Sequence, residues 1–162
     1  MRTVYAVSGG VSEFSKARPD RTFQAIVKEA CDAVILDIGL DFGKFTELAD
    51  GLVASYFSDH FTRQLMAGIM AQDYPGLCPK PGHRVEGGGA TGGICFHEAW
   101  KSVASGHMDV CVAYGFETMS HVETWKGNEF IVLASDVSFD YSVGGFYFGR
   151  RWPGAPPGRG PG

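Results

Sequence analysis

The sequence predicts an α/β fold, with a largely parallel or mixed sheet covered by helices. Three observations carry this expectation. Short β-branched and apolar runs alternate with longer stretches whose apolar residues recur every three or four positions, the order that crossover helices between parallel strands produce. Residues 109–114 (DVCVAY) are apolar at almost every position, as expected for a strand in the middle of a sheet with helices on both sides. Residues 84–96 (RVEGGGATGGICF) read as an extended lead-in that breaks at glycines and re-forms as a helix. Such an elbow brings backbone close to a ligand and aims the free N–H groups of a helix start at it.

The elements follow in order. Residues 3–8 (TVYAVS) end at Gly9-Gly10 and read as a buried strand. Residues 21–38 carry Phe23, Ile26, Val27, Ala30, Ala33 and Val34 at helical spacing, an amphipathic helix lying on the sheet. A second strand is expected at 50–55. A second helix is expected at 62–74, with Leu65, Ile69 and Met70 inward and Pro75-Gly76 as its stop. After the turn Lys80-Pro81-Gly82 comes the elbow. A third helix then runs over 91–106, with Ile94, Cys95, Ala99, Val103 and Ala104 on its apolar side and Gly106 as C-cap. With the strand at 109–114 the order is βαβαβαβ.

Beyond Gly115 the character changes. Residues 116–149 are aromatic and turn-rich, a loop region that should pack against something further on. Residues 150–162 (RRWPGAPPGRGPG) can form neither a helix nor a central strand and carry three arginines against an acidic body. The expected organisation is a domain at 1–149 followed by a disordered or non-native tail at 150–162.

Bulk properties narrow the function classes. At 162 residues, 44% apolar, 20% charged and net charge −4, the chain suits one soluble globular domain. No apolar run approaches the roughly 18–20 residues of a membrane span, and no signal segment opens the chain, so a cytoplasmic protein is expected. The mild acidity argues against nucleic acid as a partner. Cys31, Cys78, Cys95 and Cys111 are widely spaced and form no C-x-x-C pair, which suits neither a metal site nor a disulfide scaffold. The glycine run 87–89 lacks the Lys-Ser/Thr that a phosphate loop carries.

The stretch RVEGGGATGGICFHEAWKSVASGHMDVCVAYGFETMS resembles the nucleophile region of the thiolase superfamily, most closely its sterol-carrier-type and archaeal acetyl-CoA acetyltransferase branch. There the pattern is roughly R-V-E-x-x-C-A-S-G-G, then an apolar helix, a strand and G-x-E-x-M. Glu86, Ala90, Thr91, Gly92 and Gly93 fit the first motif, and residues 115–120 (GFETMS) fit the second. The opening strand with Gly9-Gly10 and Phe14-Ser15-Lys16, and residues 133–136 (LASD), are similar too, so the resemblance covers about 1–149.

The resemblance implies two similar halves in a five-layer αβαβα sandwich, with an N-terminal βαβαβαβ half here. It also implies coenzyme A thioesters as substrates, with no further cofactor, for Claisen condensation or its thiolytic reverse. In such enzymes a Cys at a helix N-terminus is acylated, its pKa depressed by the helix dipole and an adjacent base. A second Cys and one or two His come from the other half. Two departures follow. The nucleophile position falls on Gly89, which has no thiol, and the second half is absent, as a truncated or frame-shifted reading after about Gly149 would produce.

The implied site comprises Gly89 at the nucleophile position and His121 after the second motif, with Gly88, Ala90, Thr91 and Met119 around the substrate. Cys95 lies about 9 Å further along the helix at 1.5 Å per residue, too far to replace the thiol, and reads as packing. Cys111 reads as core, and His97 and His107 as surface or capping groups. Glu86 either orients the turn by accepting backbone N–H groups or is a satisfied buried carboxylate.

The expected function is therefore a thiolase-like acyl-CoA C-acyltransferase homologue that does not turn over alone. One alternative is a retro-aldol lyase of β-hydroxyacyl-CoA, working with a zinc-ribbon/OB-fold companion protein. Another is a non-catalytic assembly subunit. The apolar surface left by a half-fold implies a homo-oligomer or a thiolase-type partner subunit.

Overall fold

Helix α1 (Phe23–Asp37) begins where Thr22, in extended conformation, accepts the Ala25 N–H on its hydroxyl at 3.3 Å, the side-chain cap that a helix start favours. It buries Phe23, Val27, Cys31 and Ile35, one residue every four, and so presents a single stripe to the sheet. It stops at left-handed Gly39, where the N–H groups of Gly39 and Leu40 bond to the carbonyls of Leu36 and Ile35 in a glycine C-cap. The computed structural model describes residues 1–136; the expected tail at 150–162 and the end of the expected loop region lie outside the described residues. The described chain forms two compact units, residues 1–121 and a second starting at Val122.

In the first unit α1 is followed by α2 (Phe42–Leu48), capped by Asp41, whose carboxylate accepts the Lys44 N–H at 2.8 Å. Strand β1 (Gly51–Ser55) is buried at every position. After it come α3 (Asp59–Thr62), α4 (Ala67–Gln72), strand β2 (Gly82–Val85), helix α5 (Thr91–Ala104) and strand β3 (Cys111–Gly115). The three strands are parallel in the order β2-β1-β3, pairing Ser55 with Val85 on one side and with Gly115 on the other.

Central β1 divides the core by its period of two. Leu52 and Ala54 point to one face, where they join Tyr56, Phe45, Phe116 and the buried stripe of α1. Val53 points to the other and meets Cys95 and Ala99 of α5. Asp50 fixes the entry to this sheet. Its carboxylate accepts the Asp109 and Val110 N–H groups at 2.7 and 2.9 Å, while its own N–H bonds to the Val110 carbonyl. Those bonds, the Val110 one first, hold the Asp50 carboxyl below its ordinary range.

Four expectations are corrected. Residues 3–8 form no strand: they pair with none of the three described strands, and Tyr5 and Val7 are exposed. They are tied down instead by the Arg2 N–H on the Ala104 carbonyl and by Ser8 on Asp37 at 2.7 Å. Strand propensity alone does not make a strand: β2 and β3 keep open outer edges among the described residues, and 3–8 docks on neither. The single helix at 62–74 is broken by Arg63 and Met66, both left-handed with φ of 52° and 58°, a region that residues with a Cβ seldom enter. Its inward face is also different, because Ala67, Gly68 and Ala71 are buried while Leu65, Ile69 and Met70 are exposed. Small residues let α4 lie close on the sheet: a Cβ on Gly68 would stand 3.1 Å from that of Ala54, and the Tyr114 hydroxyl donates to the Gly68 carbonyl at 2.7 Å.

The third correction concerns 109–114. β3 pairs with β1 alone among the described residues, so β1 rather than β3 is the middle strand, and Ala113 is exposed. The fourth concerns the loop region. The second unit contains a helix, α6 (Thr124–Val132), with Lys126 paired to Glu129 at 2.7 Å. Gly127 and Asn128 in its middle hid it from a propensity reading. No helix among the described residues is long and apolar enough to cross a membrane.

Candidate functional site

Three parallel strands end on the same edge of the sheet, and α/β proteins place ligands beyond that carboxyl edge. Here the exits are Tyr56-Phe57 after β1, Glu86 to Gly89 after β2 and Phe116 to Thr118 after β3. The second of these is the elbow.

The elbow is held by its own hydrogen bonds. Gly88 to Ala90 form one 3-10 turn that runs directly into α5. The Thr91 hydroxyl accepts the Gly87 N–H at 2.9 Å and donates to the Gly88 carbonyl at 2.7 Å, and the residue is buried. Glu86 is exposed and accepts the Gly88 N–H at 3.2 Å, so of its two readings the turn-orienting one holds. Gly88 has φ +58°, a conformation that glycine adopts at little cost.

Gly89 differs from its neighbours. A Cβ built there meets no atom within 4 Å, and its φ lies outside the left-handed region. The position is therefore open to a side chain that it does not have. No side chain caps α5, and the N–H groups of Ala90 and Thr91 are engaged by the carbonyls of Gly87 and Gly88. What this end of α5 offers a ligand is the positive end of a 14-residue helix and the space over Gly89.

The second motif fastens the other exits together. Gly115 is a close approach that favours glycine, since a Cβ would stand 2.7 Å from Ser55 Oγ. Phe116 stacks on Tyr56 with centroids 4.8 Å apart and on Phe23 at 5.2 Å. The Glu117 carboxylate accepts the Phe57 N–H at 2.8 Å. The residue as a whole keeps exposed surface, yet desolvation of its carboxyl group pushes the pKa up despite that bond. Thr118 is buried. Met119 and His121 lie in a 3-10 turn that rests against α3, and both are exposed. The structure thus brings Gly88, Gly89, Ala90 and Thr91 into one turn and places Met119 and His121 on another.

The remaining sequence candidates take structural places. Cys95 is 3% exposed and donates its thiol to the Val53 carbonyl at 3.4 Å. Burial raises its pKa, the reverse of what a nucleophile needs. Burial likewise pushes Cys31 and Cys111 up to about 11. His97 is exposed and stacks on Trp100 at 5.6 Å, and His107 is exposed. No group of three metal-ligating side chains occurs among the described residues.

Sequence reasoning missed Arg84. Its guanidinium lies 4.0 Å over the Tyr56 ring, close enough for a cation–π contact. It also donates to the Tyr56 and Phe57 carbonyls at 3.1 and 3.0 Å. The residue borders a cavity of about 210 Å³ between β1, β2 and α4, lined by Leu52, Ala54, Asp59 and Ile69 among others. Only its place two residues before Glu86 pointed to it.

Comparison with known proteins gives a consistent picture. The family model described as thiolase, N-terminal domain, matches residues 3–140. An acetyl-CoA acetyltransferase from Methanothermobacter thermautotrophicus is 29% identical over 122 residues, which cover 75% of this chain and 31% of that protein. An acetyl-CoA acetyltransferase from Methanocaldococcus jannaschii is 30% identical over the same length, covering 75% and 30%. The chain thus spans about a third of the length of the curated relatives it matches.

Proposed function

Since the chain belongs to the thiolase family through that family's N-terminal domain, we propose that it is an acyl-CoA-handling homologue of the C-acyltransferases whose elbow receives a thioester and cannot be acylated by it. The single observation that carries this is Gly89: a position at a helix start, where the resemblance puts the nucleophile, with open space at the Cβ position and no side chain. A thioester carbonyl over Gly89 would be polarised by the positive end of α5, with Gly88, Ala90 and Thr91 supplying the turn that sets its height. Met119 and His121 would approach from the second motif. Ping-pong acyl transfer needs a thiol at 89, so this chain alone would not catalyse Claisen condensation or thiolysis.

The absent thiol favours one second reading. Retro-aldol cleavage of a β-hydroxyacyl-CoA needs a base and an oxyanion donor but no acyl-enzyme, so glycine at 89 is compatible with a lyase working with a zinc-ribbon/OB-fold companion. Either reading fits a cytoplasmic protein assembled with a second copy or a thiolase-type partner subunit; what supports association is the set of exposed apolar side chains Leu65, Met66, Ile69 and Met70, with Phe96 of α5.

The test uses acetyl-CoA with the wild-type chain and with Gly89→Cys. Binding by both, with an acetyl mass increment on the Cys form only, is the expected result. Carbonyl-product release from a β-hydroxyacyl-CoA by the glycine form would establish the lyase reading instead. If neither form binds acetyl-CoA, both enzymatic readings fail and an assembly role is left.

A further inference from the structure

We propose that Arg84 is the positioning residue of the elbow, locking the end of β2 to the exits of β1 and β3 so that position 89 is held at the start of α5. This rests on reading residues 86–93 as a thiolase-type elbow. β2 is the least supported strand of the sheet. Three of its four residues are exposed, and β1 is its sole strand partner among the described residues. The pairing ends at Val85, and from there to the turn that starts at Gly88 the chain is held by bonds local to the elbow, Gly87 N–H on Thr91 and Gly88 N–H on Glu86, which do not tie it to the rest of the sheet.

Arg84, in the last paired stretch of β2, ties this end of the strand to a neighbouring strand exit. One guanidinium nitrogen reaches across to β1's exit and bonds two successive carbonyls, those of Tyr56 and Phe57. The guanidinium rests on the Tyr56 ring. That ring is stacked on Phe116 after β3, and the Phe57 N–H is held by Glu117. Through one side chain, the strand that delivers the elbow is therefore tied to both other strand exits. Lysine could keep the charge and donate to a carbonyl, but its ammonium lacks the flat face with which the guanidinium stacks on the Tyr56 ring.

The role is read on a thiol placed at 89, where the backbone has room for it. The full chain carries Gly89→Cys, with exposed Cys78→Ser to remove a competing thiol. Alkylation of residue 89 by iodoacetamide is followed by peptide mass spectrometry at a series of pH values spanning the thiol titration. In the Arg84 form the helix start should depress the thiol pKa and give an early midpoint. Arg84→Met is expected to slow alkylation about tenfold at neutral pH and to move the midpoint up by about one unit, the scale of losing a helix-terminus alignment. Arg84→Lys, which keeps the charge but not the clamp, should move the midpoint in the same direction. Superposed profiles for the Met and Arg forms would overturn the proposal. So would full recovery by Lys, which would leave charge rather than clamping as the cause. Alkylation needs no coenzyme A, so failure of acetyl-CoA binding would sink the proposed function without touching this result, and the reverse also holds.

Discussion

The two faces of β1 are built on different principles. On the face of Leu52 and Ala54, α1, α2 and α4 contribute buried side chains, with Tyr114 and Phe116 completing the layer. On the face of Val53, α5 contributes Cys95 and Ala99, and its far side shows Phe96 to solvent. The first face is held by packed volume. The second is shaped by backbone: left-handed Gly88, the close approach at Gly115 and the hydroxyl of Thr91 within the turn. The face that carries the elbow is the one with little packing of its own.

The largest effect should therefore come from the packed face. Leu52 is 1% exposed. Leu52→Ala is expected to cost roughly 2–5 kcal/mol through lost transfer energy and a residual cavity. Cys95→Ala on the other face removes one buried sulfur and should cost about 1 kcal/mol, near the value of a buried methylene. Urea denaturation of both variants checks the ratio. Equal losses would mean that the α5 face is packed as tightly as the other.

Backbone shape is next. Gly115→Ala drives a methyl group to 2.7 Å from Ser55 Oγ. Overpacking of that kind should cost about 1–3 kcal/mol. Ser55→Ala removes the obstructing oxygen, so the double variant should recover part of that loss. A double variant as unstable as the sum of the singles would show that the clash is with backbone instead.

The elbow gives the sharpest contrast between adjacent positions. Gly88→Ala puts a side chain at φ +58°. A left-handed alanine should cost about 1–2 kcal/mol. At Gly89 a methyl group meets nothing. Gly89→Ala should therefore stay within about 0.5 kcal/mol of wild type, as surface substitutions away from special features do. Similar losses at both positions would mean that position 89 is not an open slot.

The same division explains what the sequence could reveal. Helical periodicity located α1 and α5, and the glycine-broken run located the elbow, because both signals are local. The expectations for residues 3–8 and for the inward face of 62–74 failed on non-local grounds. Whether a run docks on an open sheet edge is decided by the rest of the fold and not by its own propensity, and which side of a short helix faces inward depends on how closely the sheet lets it approach. At Gly68 that approach selects small residues over Leu65 and Ile69. Arg84 was invisible for the same reason. Its partners, Tyr56 and Phe57, lie 28 and 27 residues away in sequence.

The smallest effect, and the one that separates the two ends of the sheet, is its dependence on pH. Asp50 at the entry has a lowered pKa, held down by the Val110 and then the Asp109 N–H groups. Its contribution is fully present above the ordinary aspartate value near 4 and is lost as pH falls through the lower folded value. Asp50→Asn should therefore lose less of its urea midpoint between pH 5 and pH 3 than wild type does. Glu117 at the exit has the opposite sign, because burial raises its pKa. Its contribution is full below the ordinary glutamate value and is lost as pH rises through the raised one. Glu117→Gln, which can still accept the Phe57 N–H, should gain stability relative to wild type at pH 7 compared with pH 4. If the two variants shift in the same direction with pH, the Phe57 and Thr118 N–H groups and the Arg84 charge outweigh burial and hold the Glu117 carboxyl down; no difference between Glu117→Gln and wild type across that range would mean that the exit carboxylate is solvated.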